Sequence, residues 1–228
     1  MSNKINRRSF AKQSAIFSAP LILPATVKGA NERLNVGVIG VGGKGAHNLA
    51  QMGGENVVAV CDVDRNRLAG AKNQHPKAAE YTDYRKLIER QDIDAVVVTV
   101  PDHNHAPATL RALRSDKHVY CEKGLTRTFQ ESLDVYDAVK DTGMILQLGH
   151  QNRQVEANDK AKQIIDQGLL GPINLVELTT NRNSQWGAWV WNIHKDANSK
   201  TIDWETFQEP SPNKIPFGTE ALHRYFKW

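Results

Sequence analysis

Cysteine is scarce in this chain of 228 residues, with only Cys61 and Cys121 present, and aromatic residues make up 7%. Two cysteines exclude a disulfide-stapled scaffold. Each ends an apolar strand candidate, so both read as small core residues. A long apolar run is also lacking. The strongest, Ala15–Leu23, contains Ser18 and Pro20 and falls well short of the roughly 20 residues that span a bilayer. Acidic residues are absent from positions 1–30, which hold five basic ones; the remainder carries 24 basic against 25 acidic residues. The pI near 9.0 is therefore a property of the leader, and nothing points to nucleic acid as a partner. With 40% hydrophobic and 24% charged residues, and a mean hydropathy of −0.51, the composition is that of a globular protein.

Residues 1–30 read as a targeting segment. Asn6-Arg7-Arg8-Ser9-Phe10-Ala11-Lys12 resembles the twin-arginine export signal, and an apolar stretch and small residues follow. The alternative is a basic amphipathic helix. No clean cleavage site stands before Asn31. The expected location is the periplasm or beyond, reached through the twin-arginine export machinery as a partner.

From Leu34 onward, short apolar runs alternate with helical segments. The strand candidates are 34–40, 56–61, 94–100, 118–121 and 144–148. The helix candidates are 44–52, 65–73, 83–90, 106–115 and 129–141. Strands apolar on both faces and separated by amphipathic helices predict an α/β doubly wound parallel sheet, the Rossmann arrangement, over residues 31–150. The pattern changes after Gly149. A helix is expected over 155–168 and a strand over 173–180, followed by a long stretch with little periodicity. Residues 151–228 thus read as the beginning of a second, open-sheet α/β domain that holds the substrate, with its completion expected beyond Trp228. All five tryptophans lie in the last 43 residues.

The chemistry concentrates at strand ends. Gly40, Gly42 and Gly45 form G-x-G-x-x-G, with Gly43 beside them, directly after the first strand candidate and at the start of a helix. Such a turn brings backbone close to a pyrophosphate, and the helix start offers unpaired N–H donors and a positive dipole end. Asp62, 17 residues after Gly45, ends the second strand. A carboxylate there accepts hydrogen bonds from a ribose and repels a 2′-phosphate, favouring NAD over NADP; Arg65 and Arg67 soften that preference. The third strand ends in Thr99-Val100-Pro101-Asp102-His103-Asn104-His105, and the fourth in Glu122-Lys123-Gly124. No set of metal ligands is evident.

In this order, the glycine fingerprint, Asp62, the Thr-x-Pro-Asp-x-x-His-like edge and Glu122-Lys123 resemble the Gfo/Idh/MocA oxidoreductases. The leader and the Gly168–Ile173 and Thr179–Ser184 segments are similar to an exported bacterial branch of them. The resemblance implies NAD and a sugar or polyol substrate, and export to a compartment without a free NAD pool implies that the NAD is tightly bound. The resemblance places Lys123 as the catalytic residue beside nicotinamide and substrate hydroxyl. It assigns Gly40, Gly42, Gly43, Gly45, Asp62, Pro101, Asp102, His105, Glu122, Lys123 and Gln151 to cofactor binding, and implies a homo-oligomer formed through the second domain. Gly124 departs from the family, which has proline there. The family's acid/base histidine is expected beyond Trp228, since His194 and His223 read as surface or packing residues. Two other functions stay open: a glycosidase that works by transient C3 oxidation and elimination, and a sugar- or dinucleotide-binding protein without catalysis.

Overall fold

A computed structural model of the chain describes residues 33–179 and 190–226. The leader and Trp186, Trp189 and Trp228 lie outside the described residues. The chain divides into two compact units: one to Gly149 together with Asn198–Ile215, the other comprising His150–Ala197 and the residues from Pro216 onward.

The first unit is built on a six-stranded parallel sheet of order β3-β2-β1-β4-β5-β6. Its strands are β1 (Asn35–Ile39), β2 (Asn56–Cys61), β3 (Ala79–Tyr81), β4 (Ala95–Val98), β5 (His118–Glu122) and β6 (Leu146–Gly149). Five follow the sequence pattern. β3 escapes it because this three-residue edge strand, Ala-Glu-Tyr, is too short to show a period. The connecting helices are α1 (Lys44–Ala50), α2 (Arg65–Gln74), α3 (Tyr84–Ile88), α4 (Asp102–Arg114) and α5 (Phe129–Thr142).

Alternation along each strand feeds two cores. Val36 and Val38 of β1, with Ala95 and Val97 of β4, pack with Leu49, Met52 and Leu68 on the α1–α2 face. Ile39, Val96 and Val98 meet Leu87, Ile88, Ala112 and Leu113 on the opposite face. Cys61 and Cys121 are buried in that second core as free thiols. Burial pushes the Cys121 thiol up to about 12 and raises that of Cys61 well above its ordinary value.

α4 starts at Asp102, four residues ahead of the expected 106, with Pro101 as its N-cap residue. Proline fixes φ at a value that suits the residue leading into a helix, here −60°. Pro107, inside α4, forfeits one intrahelical hydrogen bond without ending the helix. α5 carries a full capping box, Thr128 with Glu131, and ends at Gly143 in the left-handed region.

The second unit contains a 3-10 turn (Gln151–Gln154), α6 (Glu156–Asp166) and α8 (Thr219–Phe226); α7 (Trp204–Gln208) belongs to the first unit. Within the second unit the Trp191 amide donates to the Phe226 carbonyl at 2.8 Å, and His194 meets the Phe226 ring edge-on. The strand expected over 173–180 is corrected: residues 173–179 form none, and Thr180 lies outside the described residues. Ile173, Leu175, Val176 and Leu178 are apolar enough for a strand but exposed, and a strand without a ladder partner leaves its backbone groups unpaired. No described helix is long and apolar enough to cross a membrane.

Candidate nucleotide-binding site

Register decides which residues share the carboxyl edge of the sheet. Ile39 pairs with Cys61 and with Val98, and Val98 pairs with Cys121. The next residues along each strand, Gly40, Asp62, Thr99 and Glu122, therefore line one edge. In open α/β sheets that edge is where ligands bind.

The turn after β1 is closely packed. Gly40 has φ +82°, and Gly43, just before α1, has φ +50°. Both lie in the region that favours glycine. A Cβ on Gly45 would fall 1.9 Å from the Gly40 carbonyl oxygen and 2.7 Å from the Thr99 hydroxyl. Thr99 closes the turn with its one hydroxyl proton, which faces the carbonyls of both Ile39, at 3.0 Å, and Gly40. This role was not legible, because the partners lie 59 and 60 residues away in sequence.

Asp62 is buried. One carboxylate oxygen accepts the Val41 amide and the other the Asp64 amide, each at 2.9 Å. Its pKa is raised by burial, against the lowering effects of Arg67 and the two amides. Each carboxylate oxygen can accept a second bond, so the group can hold the turn and still receive ribose hydroxyls. The Arg67 side chain lies over Gly42: a Cβ there would sit 2.4 Å from its Cδ and 2.9 Å from its guanidinium carbon. The space read as room for a pyrophosphate thus holds a flexible cation of the sign a phosphate attracts. α1 opens without a side-chain cap. An uncapped helix start, an arginine and a buried carboxylate around a turn that excludes Cβ atoms fit a dinucleotide.

Glu122, buried at the end of β5, ties the neighbouring strand to α1. Its carboxylate accepts from the Asn48 amide at 3.0 Å and the Tyr120 hydroxyl at 3.2 Å, with the Lys44 ammonium 3.9 Å away. Burial beside that carboxylate pushes the Tyr120 phenol up to about 12. Lys44 and Asn48 are four residues apart and share a helix face, a spacing that could have marked them.

Lys123 follows Glu122 at the edge and is exposed. The Lys123–Gly124 peptide is cis. The Gly124 carbonyl lies 2.6 Å from Nδ1 of buried His105. A carbonyl only accepts, so His105 donates from Nδ1. Asp102, mostly exposed, places an oxygen 3.8 Å from the same Nδ1. His103 donates from Nε2 to the Phe207 carbonyl at 2.7 Å. Gln151 belongs to the second unit, where it opens the 3-10 turn and is exposed. Trp204 is buried and stacked on Phe207, with centroids 5.1 Å apart. Among the described residues, no group of three or more His, Cys, Asp or Glu is placed to hold a metal.

Sheet order, glycine turn and edge carboxylate define a dinucleotide-binding protein of the Rossmann class. Residues 34–150 match the model of the Gfo/Idh/MocA oxidoreductases, described as the oxidoreductase family with an NAD-binding Rossmann fold, and the chain belongs to that family. It is similar to an inositol 2-dehydrogenase of Salmonella typhimurium (33% identity over 144 residues, 60% of this chain and 43% of that one). It is also similar to an alpha-N-acetylgalactosaminidase of Shewanella oneidensis (26% over 254 residues, 96% of this chain and 54% of that one). Among solved structures, myo-inositol 2-dehydrogenase of Lactobacillus plantarum matches with a TM-score of 0.57 and 31% identity, covering 62% of this chain and 43% of that one. The chain spans about half the length of the curated relatives it matches.

Proposed function

We propose that this chain is the nucleotide-binding part, with some of the substrate-binding part, of an NAD-dependent oxidoreductase acting on a hydroxyl-bearing carbon of a sugar or polyol. The observation that carries the reading is the joint placement of Asp62 and the glycine turn: one carboxylate oxygen on the Val41 amide, beside an uncapped helix start. Asp62 would accept the ribose hydroxyls, and the first amides of α1 with Arg67 would meet the phosphates. Asp62 favours NAD; the nearby arginine keeps NADP as a weaker ligand. When bound, the nicotinamide supplies the hydride acceptor. Lys123 would take the hydroxyl proton on Nζ and return it in reverse, its loop anchored by His105 through the Gly124 carbonyl. The first 30 residues support export through the twin-arginine pathway with the nucleotide carried along, and assembly as a homo-oligomer through the second unit belongs to the same reading.

A second reading has its own support. The similarity to the galactosaminidase runs over 96% of this chain, further than that to the inositol dehydrogenase. A held cofactor that took a hydride from C3 would acidify the C2 proton, so that the aglycone could leave by elimination across C1–C2; addition of water to that bond and return of the hydride to C3 would then give net hydrolysis. The test is to incubate the full chain with NAD and a panel of polyols and aryl glycosides, following absorbance at the reduced-nicotinamide band and aglycone release together. Accumulated reduced nucleotide with a keto product supports the dehydrogenase. Aglycone release without net redox supports the glycosidase. Hydrogen exchange at no carbon, with NAD bound, leaves a binding protein. Lys123→Ala should abolish either turnover, while the glycine turn and Asp62 still hold NAD.

A further inference from the structure

Residues Asn198–Ile215 fold with the first unit although they follow its last strand by some fifty positions. Their attachments are specific. The Arg65 amide donates to the Thr201 carbonyl and the Asp203 amide to the Val63 carbonyl, both at 2.9 Å. Asp64 and Ile202 form an antiparallel bridge. This end of the strap is therefore zipped to the residues immediately after Asp62. At its other end the Phe207 carbonyl accepts from His103 Nε2 at 2.7 Å and from the Asn104 side-chain amide at 3.0 Å, both in the first turn of α4. The His103 ring stands edge-on to Phe207 at 4.8 Å. Ile202, Trp204 and Phe207 of this run are buried.

These contacts give the strap a definite course. It joins the chain just beyond β2 to the chain just beyond β4, the two strands that flank β1 in the sheet. The glycine turn and Asp62 lie between those attachments. A nucleotide whose ribose rests on Asp62 carries its adenosine past the end of β2, beside residues 63–65, to which the strap is bonded.

We propose that the strap Thr201–Gln208 is the outer wall of the adenosine subsite and a latch on it: it positions the loop that carries Asp62, and the adenosine leaves only when the strap opens. The inference rests on the nucleotide-binding reading above and deepens it by assigning cofactor retention to residues that follow the Rossmann sheet in sequence. The anchoring bonds at the β2 end use backbone groups, so a sequence pattern does not disclose them. Loss of a single donor, the Asp203 N–H, unzips the strap next to Asp64. Asp203 has φ −77°, which proline adopts, so Asp203→Pro removes that donor without a clash in φ. It also removes the carboxylate that caps α7 by accepting from Thr206. Asp203→Ala removes the cap alone and serves as the comparison.

The experiment follows displacement of bound NADH by excess ADP-ribose from the full chain in a stopped-flow instrument. Asp203→Pro should release NADH at least tenfold faster than the parent, with Asp203→Ala closer to the parent. Hydrogen exchange on the unmodified chain is the second measurement. The amides of residues 201–208 should gain protection when ADP-ribose is bound and gain none with nicotinamide mononucleotide, which lacks the adenosine. If the chain binds neither NADH nor ADP-ribose, the nucleotide reading itself falls and the latch with it. If both bind, while release from Asp203→Pro is unchanged and the strap amides exchange equally with and without ADP-ribose, the latch alone is overturned. Equal acceleration in Asp203→Pro and Asp203→Ala would reduce the effect to helix capping and likewise overturn it.

Discussion

The carboxylate of Asp62 accepts the amide hydrogen of Val41 at 2.9 Å, binding the end of β2 to the turn that follows β1. The same side chain accepts the Asp64 amide through its other oxygen, so a residue suited to hold ribose also holds the loops on both sides of it.

Asp62→Asn should therefore weaken both structure and ligand binding. An amide has one accepting oxygen, so one of the two backbone donors faces an NH2 group. A buried donor left unpaired costs about 1–3 kcal/mol, offset in part by removing a buried charge. The expected outcome is a net loss of about 1–2 kcal/mol in denaturant melts and at least a tenfold rise in the Kd for NAD. Unchanged stability would mean the Val41 and Asp64 bonds contribute nothing.

Glycines at two positions should respond in opposite directions. Gly45→Ala drives a methyl against the Gly40 carbonyl at 1.9 Å, which backbone cannot evade without opening the turn. NAD binding should fall below detection and stability should drop. Gly70, within α2, has open space where a Cβ would go. Gly70→Ala should stabilise by roughly 0.5–1 kcal/mol, the helix-propensity difference. Calorimetry and nucleotide titration on the pair check both.

Thr99→Val keeps the shape of the side chain and removes the hydroxyl that closes the glycine turn onto the carbonyls of Ile39 and Gly40. One hydroxyl proton shared between the two carbonyls sets an expected cost of about 1 kcal/mol. Because the turn carries the nucleotide, the Kd for NAD should rise by an order of magnitude or more. Thr99→Ser, which retains the hydroxyl, should recover most of the affinity.

His103 gives a pH dependence with a definite sign. Burial lowers its pKa below the ordinary 6.5, outweighing the upward pull of the Phe207 carbonyl. The folded state thus holds the neutral ring, while the unfolded chain takes up a proton near 6.5. Its contribution is complete above that value and is lost as the pH falls from about 6.5 through the lowered folded value. Melting temperature should decline from pH 7 to pH 5, and the decline should be shallower in His103→Gln. Identical pH slopes for the two proteins would show that His103 is not buried as described.

Much of this protein was set locally. Strands such as Ala95–Val98, apolar on both faces, can only sit inside a sheet covered on two sides, and the helices between them leave the parallel arrangement as the solution. The glycine spacing and the acid 17 residues after Gly45 mark the turn, because a tight approach of backbone tolerates few residue types. Other features came only with the tertiary structure. Glu122 gains Asn48 across 74 positions, His105 finds the Gly124 carbonyl, and Thr201–Gln208 is laid along the end of β2. The strand expected after residue 173 failed for the same reason: its apolar pattern was present, but a ladder needs a second strand that no local pattern supplies. Sequence periodicity reports which face of an element seeks burial. Which distant backbone group meets which side chain is decided by register and packing, and in this chain those decide how the nucleotide edge is closed.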